Sequence, residues 1–229
     1  MNPTDLIQPQ AMPSSWPMLR AMGGVGIFCA LLIVATYQVT LPVIEHNKAE
    51  ALGQAVFEVI PGATSRETFA VGSDGNLIPG DQAPKGAKLF YAGYNDNNEL
   101  VGIAIEASGQ GFQDIVRLLY GYDPGQQALV GLTILESKET PGLGTKIETD
   151  ETFLLNFESL DVALVDDGSA VAHPITAVKP GEKKNPWEVS TITGATISSK
   201  AVANILRRNT SEWLPTVAAQ LQHFKDARQ

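Results

Sequence analysis

Cysteine is almost missing from this chain: Cys29 stands alone among 229 residues. That excludes an internal disulfide framework and any site built on several thiolates, whether zinc or iron–sulfur. Histidine is scarce too, and His46, His173 and His223 have no ligand spacing, so metal chemistry is not indicated. Cations are the third shortage, with 16 Lys and Arg against 25 Asp and Glu and a formal net charge of -9. A chain so poor in clustered cations has little to offer a phosphate backbone, which argues against nucleic acid as a partner. The length supports one domain plus an appendage, or two very small domains.

Charge is missing altogether from one stretch. No charged residue lies between Arg20 and Glu45, so 21–44 is an uncharged run of 24 residues. About 20 apolar residues in a helix cross a bilayer. Tyr37 stands where an interfacial aromatic belongs, and Pro42 predicts the end of the helix. A cleaved signal peptide is the alternative. Two features oppose it: no small-x-small site follows the apolar run, and the preceding flank is Pro-rich rather than basic. Arg20, the only cation before the span, predicts a cytoplasmic tail (1–20), a membrane anchor (21–44) and an outer domain (45–229). The acidic excess then belongs to the outer domain and keeps it soluble.

Beyond the anchor the pattern predicts an α+β domain. Ala49, Leu52, Val56 and Val59 fall at helical spacing before Pro61-Gly62. Runs 88–94 and 100–106 flank Asn95-Asp96-Asn97-Asn98 and read as a hairpin. The turn Gly109-Gln110-Gly111 leads into Phe112, Ile115, Val116, Leu118 and Leu119, read as a short helix stopping near Gly121. Run 129–135 is a strand, 161–177 a second hairpin about Asp166-Asp167-Gly168, and the end is helical from Ser198 or Ser199.

Two motifs carry chemistry. Thr193-Gly194-Ala195-Thr196 lies between the β-prone run 189–192 and that last helix. Gly and Ala let a ligand approach the backbone, and a helix N-terminus offers free amides to an anion. Ser and Thr before a helix are also ordinary capping material. Gly62-Ala63-Thr64 repeats the tripeptide where no helix follows, so the tripeptide alone carries no weight. The second motif, Glu139-Thr140-Pro141-Gly142-Leu143-Gly144, follows a strand. It lacks the spacing of a phosphate loop or a dinucleotide fingerprint. Its close glycines and hydroxyls, with Leu143, suit a backbone laid against a flat ring.

Together, an E-T-P-G-L-G loop and a T-G-A-T motif about fifty residues later resemble the covalent-flavin domain of two membrane complexes. One is the G subunit of the Rnf ion-translocating complex, the other the C subunit of the sodium-pumping NADH:quinone oxidoreductase. The resemblance covers the whole chain, and the segment 113–123 is closer to the Rnf protein. It implies FMN joined through its phosphate to Thr196, with Thr193, Gly194 and Ala195 beside it, installed from FAD by a flavin transferase. It also implies the loop Glu139, Thr140, Gly142, Leu143 and Gly144 against the isoalloxazine, with Thr140 and Leu143 as contacts. The family's Asp six residues before the modified Thr is Ser190 here. The implied role is an electron carrier between ferredoxin and NAD, in the bacterial inner membrane with its soluble domain periplasmic. Its implied partners are the other complex subunits and, through one helix, lipid. A C-type subunit and a flavin-free membrane-anchored binding or assembly module are the alternatives.

Three further residues have ordinary readings. Arg117 is expected to pair with Asp114 rather than with a flavin phosphate, His173 before Pro174 to be structural or solvated rather than a proton donor, and Trp187 either to cover the ring or to enter the core.

Overall fold

The computed structural model describes residues 14–72 and 76–228. Residues 1–13 of the expected tail, Asp5 included, lie outside the described residues. The chain divides into one unit ending at Ala49 and another running from Glu50.

Helix α1 (Trp16–Val59) is long and apolar enough to cross a membrane. In the first unit its apolar side chains, among them Ile27, Phe28, Leu31 and Ile33, are exposed. A helix apolar all round and uncovered by protein suits lipid. Pro42 does not end it. Proline withholds one amide, but its fixed φ is helical, and here Thr40 donates its hydroxyl to the carbonyls of Thr36 (2.9 Å) and Tyr37 (3.3 Å) just upstream.

The second unit is built on an antiparallel sheet. Its strands are β1 (Ser65–Val71), β2 (Leu77–Pro79), β3 (Leu89–Tyr94), β4 (Leu100–Gln110), β5 (Ile115–Asp123), β6 (Ala128–Glu136) and β7 (Leu160–Asp161). Among the described residues they pair in the order β2-β1-β3-β4-β5-β6-β7. The expected hairpin at Asn95–Asn98 is present as β3–β4, with the Asn95 side chain accepting from the amides of Asn97 and Glu99.

The helix expected after Gly111 is instead β5. Val116, Leu118, Tyr120 and Tyr122 alternate onto one buried face, while Leu119 packs on the other. Apolar residues on both faces of a central strand hide the two-residue period and mimic a helical cluster. The second hairpin is smaller than expected, a single antiparallel bridge between Leu164 and Val171 about the Asp166–Gly168 turn. The run after it joins β8 (Thr176–Val178) in parallel with β9 (Glu188–Ser190).

One face of the sheet carries the main core, covered by α4 (Thr196–Ala219) and α5 (Leu221–Asp226) through Val202, Ile205, Leu206, Leu214, Val217 and Phe224. The other face receives the end of α1, where Val56, Val59 and Ile60 pack with Tyr91, Ala104 and Leu119. That end rests on glycine. Gly93 faces Gly102 across one strand pair and Gly121 faces Gly131 across another, and a methyl group at any of the four would strike Val59 or Ile60. Buried hydroxyls in the core are satisfied: Tyr94 donates to the carbonyl of Phe224 (2.7 Å) and Tyr120 to Asn209 Oδ1 (2.8 Å).

Candidate functional site

Helix α4 begins two or three residues earlier than the sequence suggests, at Thr196 itself. Ser198 and Ser199 are therefore not caps but buried members of the first turn. Ser199 has a stapling role. Its hydroxyl donates to the carbonyl of Ala195 (2.8 Å) and accepts from the amide of Ile192 (3.2 Å), closing the loop that carries Thr193 and Gly194. Gly194 sits at φ +86°, a backbone conformation that favours glycine. The helix N-cap is Ala195, which has no side chain to cap with, so no side-chain acceptor serves the first turn's amides. Thr196 is exposed, its hydroxyl donating weakly to the carbonyl of Ile192 at 3.3 Å.

The second motif closes on itself differently. The amides of Leu143 and Thr145 donate to the carbonyl of Thr140, and the amide of Gly142 donates to the hydroxyl of Thr145 (3.0 Å). Gly142 needs its glycine for φ +74°. Gly144 needs its own for close approach, since a Cβ there would stand 2.7 Å from Glu139 Oε2 and 3.0 Å from Ser198 Oγ. Leu143 stands 52% exposed.

The two motifs meet. Ser198 Oγ donates to the buried Glu139 carboxylate at 2.5 Å, 59 residues apart in sequence. Beside this link lies a cavity of about 340 Å³ lined by Phe112, Thr140, Leu143, Gly144 and 194–198. That is the low end of volumes that hold small ligands. Of the residues expected at the site, Thr140, Leu143, Gly144, Gly194, Ala195 and Thr196 line it. Thr193 instead lines a neighbouring recess with Ser190 and Lys146, Gly142 lies outside on an exposed turn, and Glu139 turns inward. A larger recess of about 490 Å³, around Glu58, Asp123 and Leu132, includes neither motif.

Phe112 and Ile197 were not foreseen. They are 57% and 60% exposed, large apolar side chains that the fold leaves uncovered beside the cavity. Phe112 was hidden by the misread helix. Ile197 had a visible signal, being apolar yet out of phase with Val202, Ile205 and Leu206.

Several of the surrounding charges are paired. Lys138 hydrogen-bonds Asp114 at 2.8 Å and, with the amide of Ile115, holds that carboxyl below its usual range. Arg117 does not pair with Asp114. It lies on β5 and bridges Glu106 (2.7 Å) and Glu136 (3.1 Å) on the flanking strands. Trp187 stacks on exposed His173 with ring centroids 4.0 Å apart and does not line the cavity. Of the cations at 179–184, Lys183 reaches Asn156 Oδ1 at 3.3 Å, and burial lowers its pKa.

Residues 111–210 match the family model described as the FMN-binding domain. The G subunit of the ion-translocating oxidoreductase complex from Methanosarcina acetivorans is 32% identical over 180 residues, 77% of this chain and 82% of that protein. Its counterpart in the Na(+)-translocating ferredoxin:NAD(+) oxidoreductase complex from Acetobacterium woodii, also a G subunit, is 29% identical, covering 77% of this chain and 79% of that one. Among solved structures, Shewanella oneidensis NqrC superposes with a TM-score of 0.60 at 16% identity, covering 78% of this chain and 99% of that chain.

Proposed function

The chain belongs to the family of G subunits of the ion-translocating oxidoreductase complexes, and we propose that it is the membrane-anchored electron carrier of such a complex, with FMN esterified to Thr196. One observation carries this reading. An exposed hydroxyl opens a 24-residue helix that lacks a side-chain cap, on the wall of an apolar cavity formed with the Glu139–Gly144 loop.

The residues present fit the group. A phosphodiester at Thr196 keeps one negative charge, and the open amides of the first turn of α4 stabilise an anion there by about 0.3–1 kcal/mol. Phe112, Leu143 and Ile197 give the apolar walls a flavin ring requires and exclude water from it. Gly144 and Gly194 let the backbone approach. When bound, FMN supplies one- and two-electron redox chemistry, and the protein supplies placement and tuning. No side chain here has to act as a base on a substrate. Attachment consumes the Thr196 hydroxyl: its oxygen attacks the FMN-side phosphorus of FAD, the pyrophosphate bond breaks, AMP leaves and the hydroxyl proton is lost. Thr196 then no longer donates to Ile192.

The domain sits on the periplasmic side, with residues 21–44 in the membrane and a flavin transferase acting from outside. Its electrons pass between neighbouring subunits on a ferredoxin-to-NAD route. The curated relatives favour the G-type over a C-type subunit, whose likeness here is one of fold.

Co-expression with an exported flavin transferase, followed by denaturing electrophoresis and in-gel flavin fluorescence, tests the reading. The wild type should fluoresce, Thr196→Ala should be dark, and a transferase stripped of its export signal should leave the wild type dark. A dark wild-type band with the exported enzyme would sink covalent attachment and leave the flavin-free binding module.

A further inference from the structure

The cavity draws its walls from three segments far apart in the chain: the turn at Phe112, the loop at 140–144 and the first turn of α4. One side chain reaches all three. Glu139 is only 3% exposed, and its Oε1 accepts from the amides of Phe112 (2.7 Å) and Gln113 (3.1 Å). Its Oε2 accepts from Ser198 Oγ at 2.5 Å, two residues beyond Thr196. All three donors are neutral. A carboxylate buried without a cation is costly, and hydrogen bonds to the charged form are what offset that cost. The chain also leaves space for it, because a Cβ at Gly111 or Gly144 would collide with its oxygens.

We propose that Glu139 is a positioning residue for the flavin, holding Phe112, Leu143 and the start of α4 at one fixed spacing. A ring carried on Thr196 is then immobilised between apolar walls rather than swinging in solvent. This rests on the reading of Thr196 as the attachment site. Glu139 touches none of the reacting atoms in this account. Its carboxylate works through the Phe112 amide on one side and the Ser198 hydroxyl on the other.

Charge and geometry separate in the variants. In Glu139→Gln the side-chain carbonyl still accepts from both amides, and the NH2 donates to a Ser198 hydroxyl turned to accept. In Glu139→Ala two amides and one hydroxyl lose their acceptor together. In Ser198→Ala only the link to α4 is cut.

The test uses the full chain in detergent after co-expression with the transferase. Visible circular dichroism of the flavin and its quenching by iodide are read beside the denaturing gel. The wild type and Glu139→Gln should share one flavin dichroism spectrum and weak quenching. Glu139→Ala should keep its fluorescent band in the gel yet lose the visible dichroism, with iodide quenching rising severalfold. Ser198→Ala should shift the same way to a lesser degree, and it decides the matter if Glu139→Ala fails to fold. Wild-type dichroism and quenching in both variants would overturn the positioning role. A dark wild-type band would overturn the attachment reading and this inference with it, so the two failures look different.

Discussion

At the scale of single residues, the two glycines of the Glu139 loop make contrasting demands. Gly142 has open space around its Cα but a left-handed backbone, so Gly142→Ala should cost about 1–2 kcal/mol from the backbone alone. Gly144 has an ordinary φ and no room. Its alanine would press on Glu139 and Ser198, and overpacking of this kind costs about 1–3 kcal/mol. Denaturant midpoints should fall for both. Visible flavin dichroism of the loaded protein should change only for Gly144→Ala, and equal spectra in the two variants would show that the carboxylate is not where the cavity is set. Much of the cavity lining is legible from the residues. Thr140, Leu143, Gly144 and the run Gly194 to Thr196 were expected near the ring and do line one cavity. Glu139 was not legible as an inward-facing group, because its partners are two backbone amides and a serine, none of which leaves a mark in sequence.

At the scale of elements, the packing of β3 and β5 against α5 and α4 predicts an alkaline limit. Burial first, then the nearby carboxylate of Glu67, pushes the Tyr94 phenol up to about 12; burial and Asp123 do the same for Tyr122. A folded-state pKa above the unfolded value of about 10 means stability fully present below about pH 10 and lost as pH rises through about 12. Lys88 acts in the opposite sense. Burial lowers its pKa, so its contribution rises with pH below 10.5 and partly masks the onset. Unfolding free energy should therefore hold near pH 9 to 10 and fall steeply above it, with tyrosinate absorbance appearing together with unfolding. Tyr94→Phe should make that fall shallower; an unchanged slope would remove Tyr94 from the account. The same strands explain the main misreading. Val116 to Tyr122 is apolar on both faces because α4 covers one and α1 the other, and no local pattern announces a second cover arriving from residues 55–60. Where only one partner was needed, as in the Asn95–Asn98 hairpin, local chemistry sufficed.

At the scale of the whole molecule, the opening shortages acquire physical meaning. The described acidic groups of the second unit are spread over its strands and loops, with several tied to cations, as in Arg117 between Glu106 and Glu136 and Arg228 on Glu67. The second unit also includes the last turns of α1. The sheet's second face is completed by Ala55, Val56, Val59 and Ile60. A soluble form starting at residue 50 should melt cooperatively, whereas one starting at residue 61 should lose that cover and melt far lower or not fold. Burying Val56, Val59 and Ile60 stabilises by roughly 1.5–3 kcal/mol each. Equal melting of the two forms would show that the helix end contributes nothing.

The glycine floor beneath Val59 also sets a schedule. The helix end leaves the ribosome first, and the last glycine of its seat, Gly131, follows 72 residues later. At about 5–20 residues per second, Val56, Val59 and Ile60 wait roughly 4–14 s for their seat to be made. For that interval the apolar end of the helix is newborn surface with no protein to rest on, and whatever shelters it must let go when the fourth strand of the floor arrives.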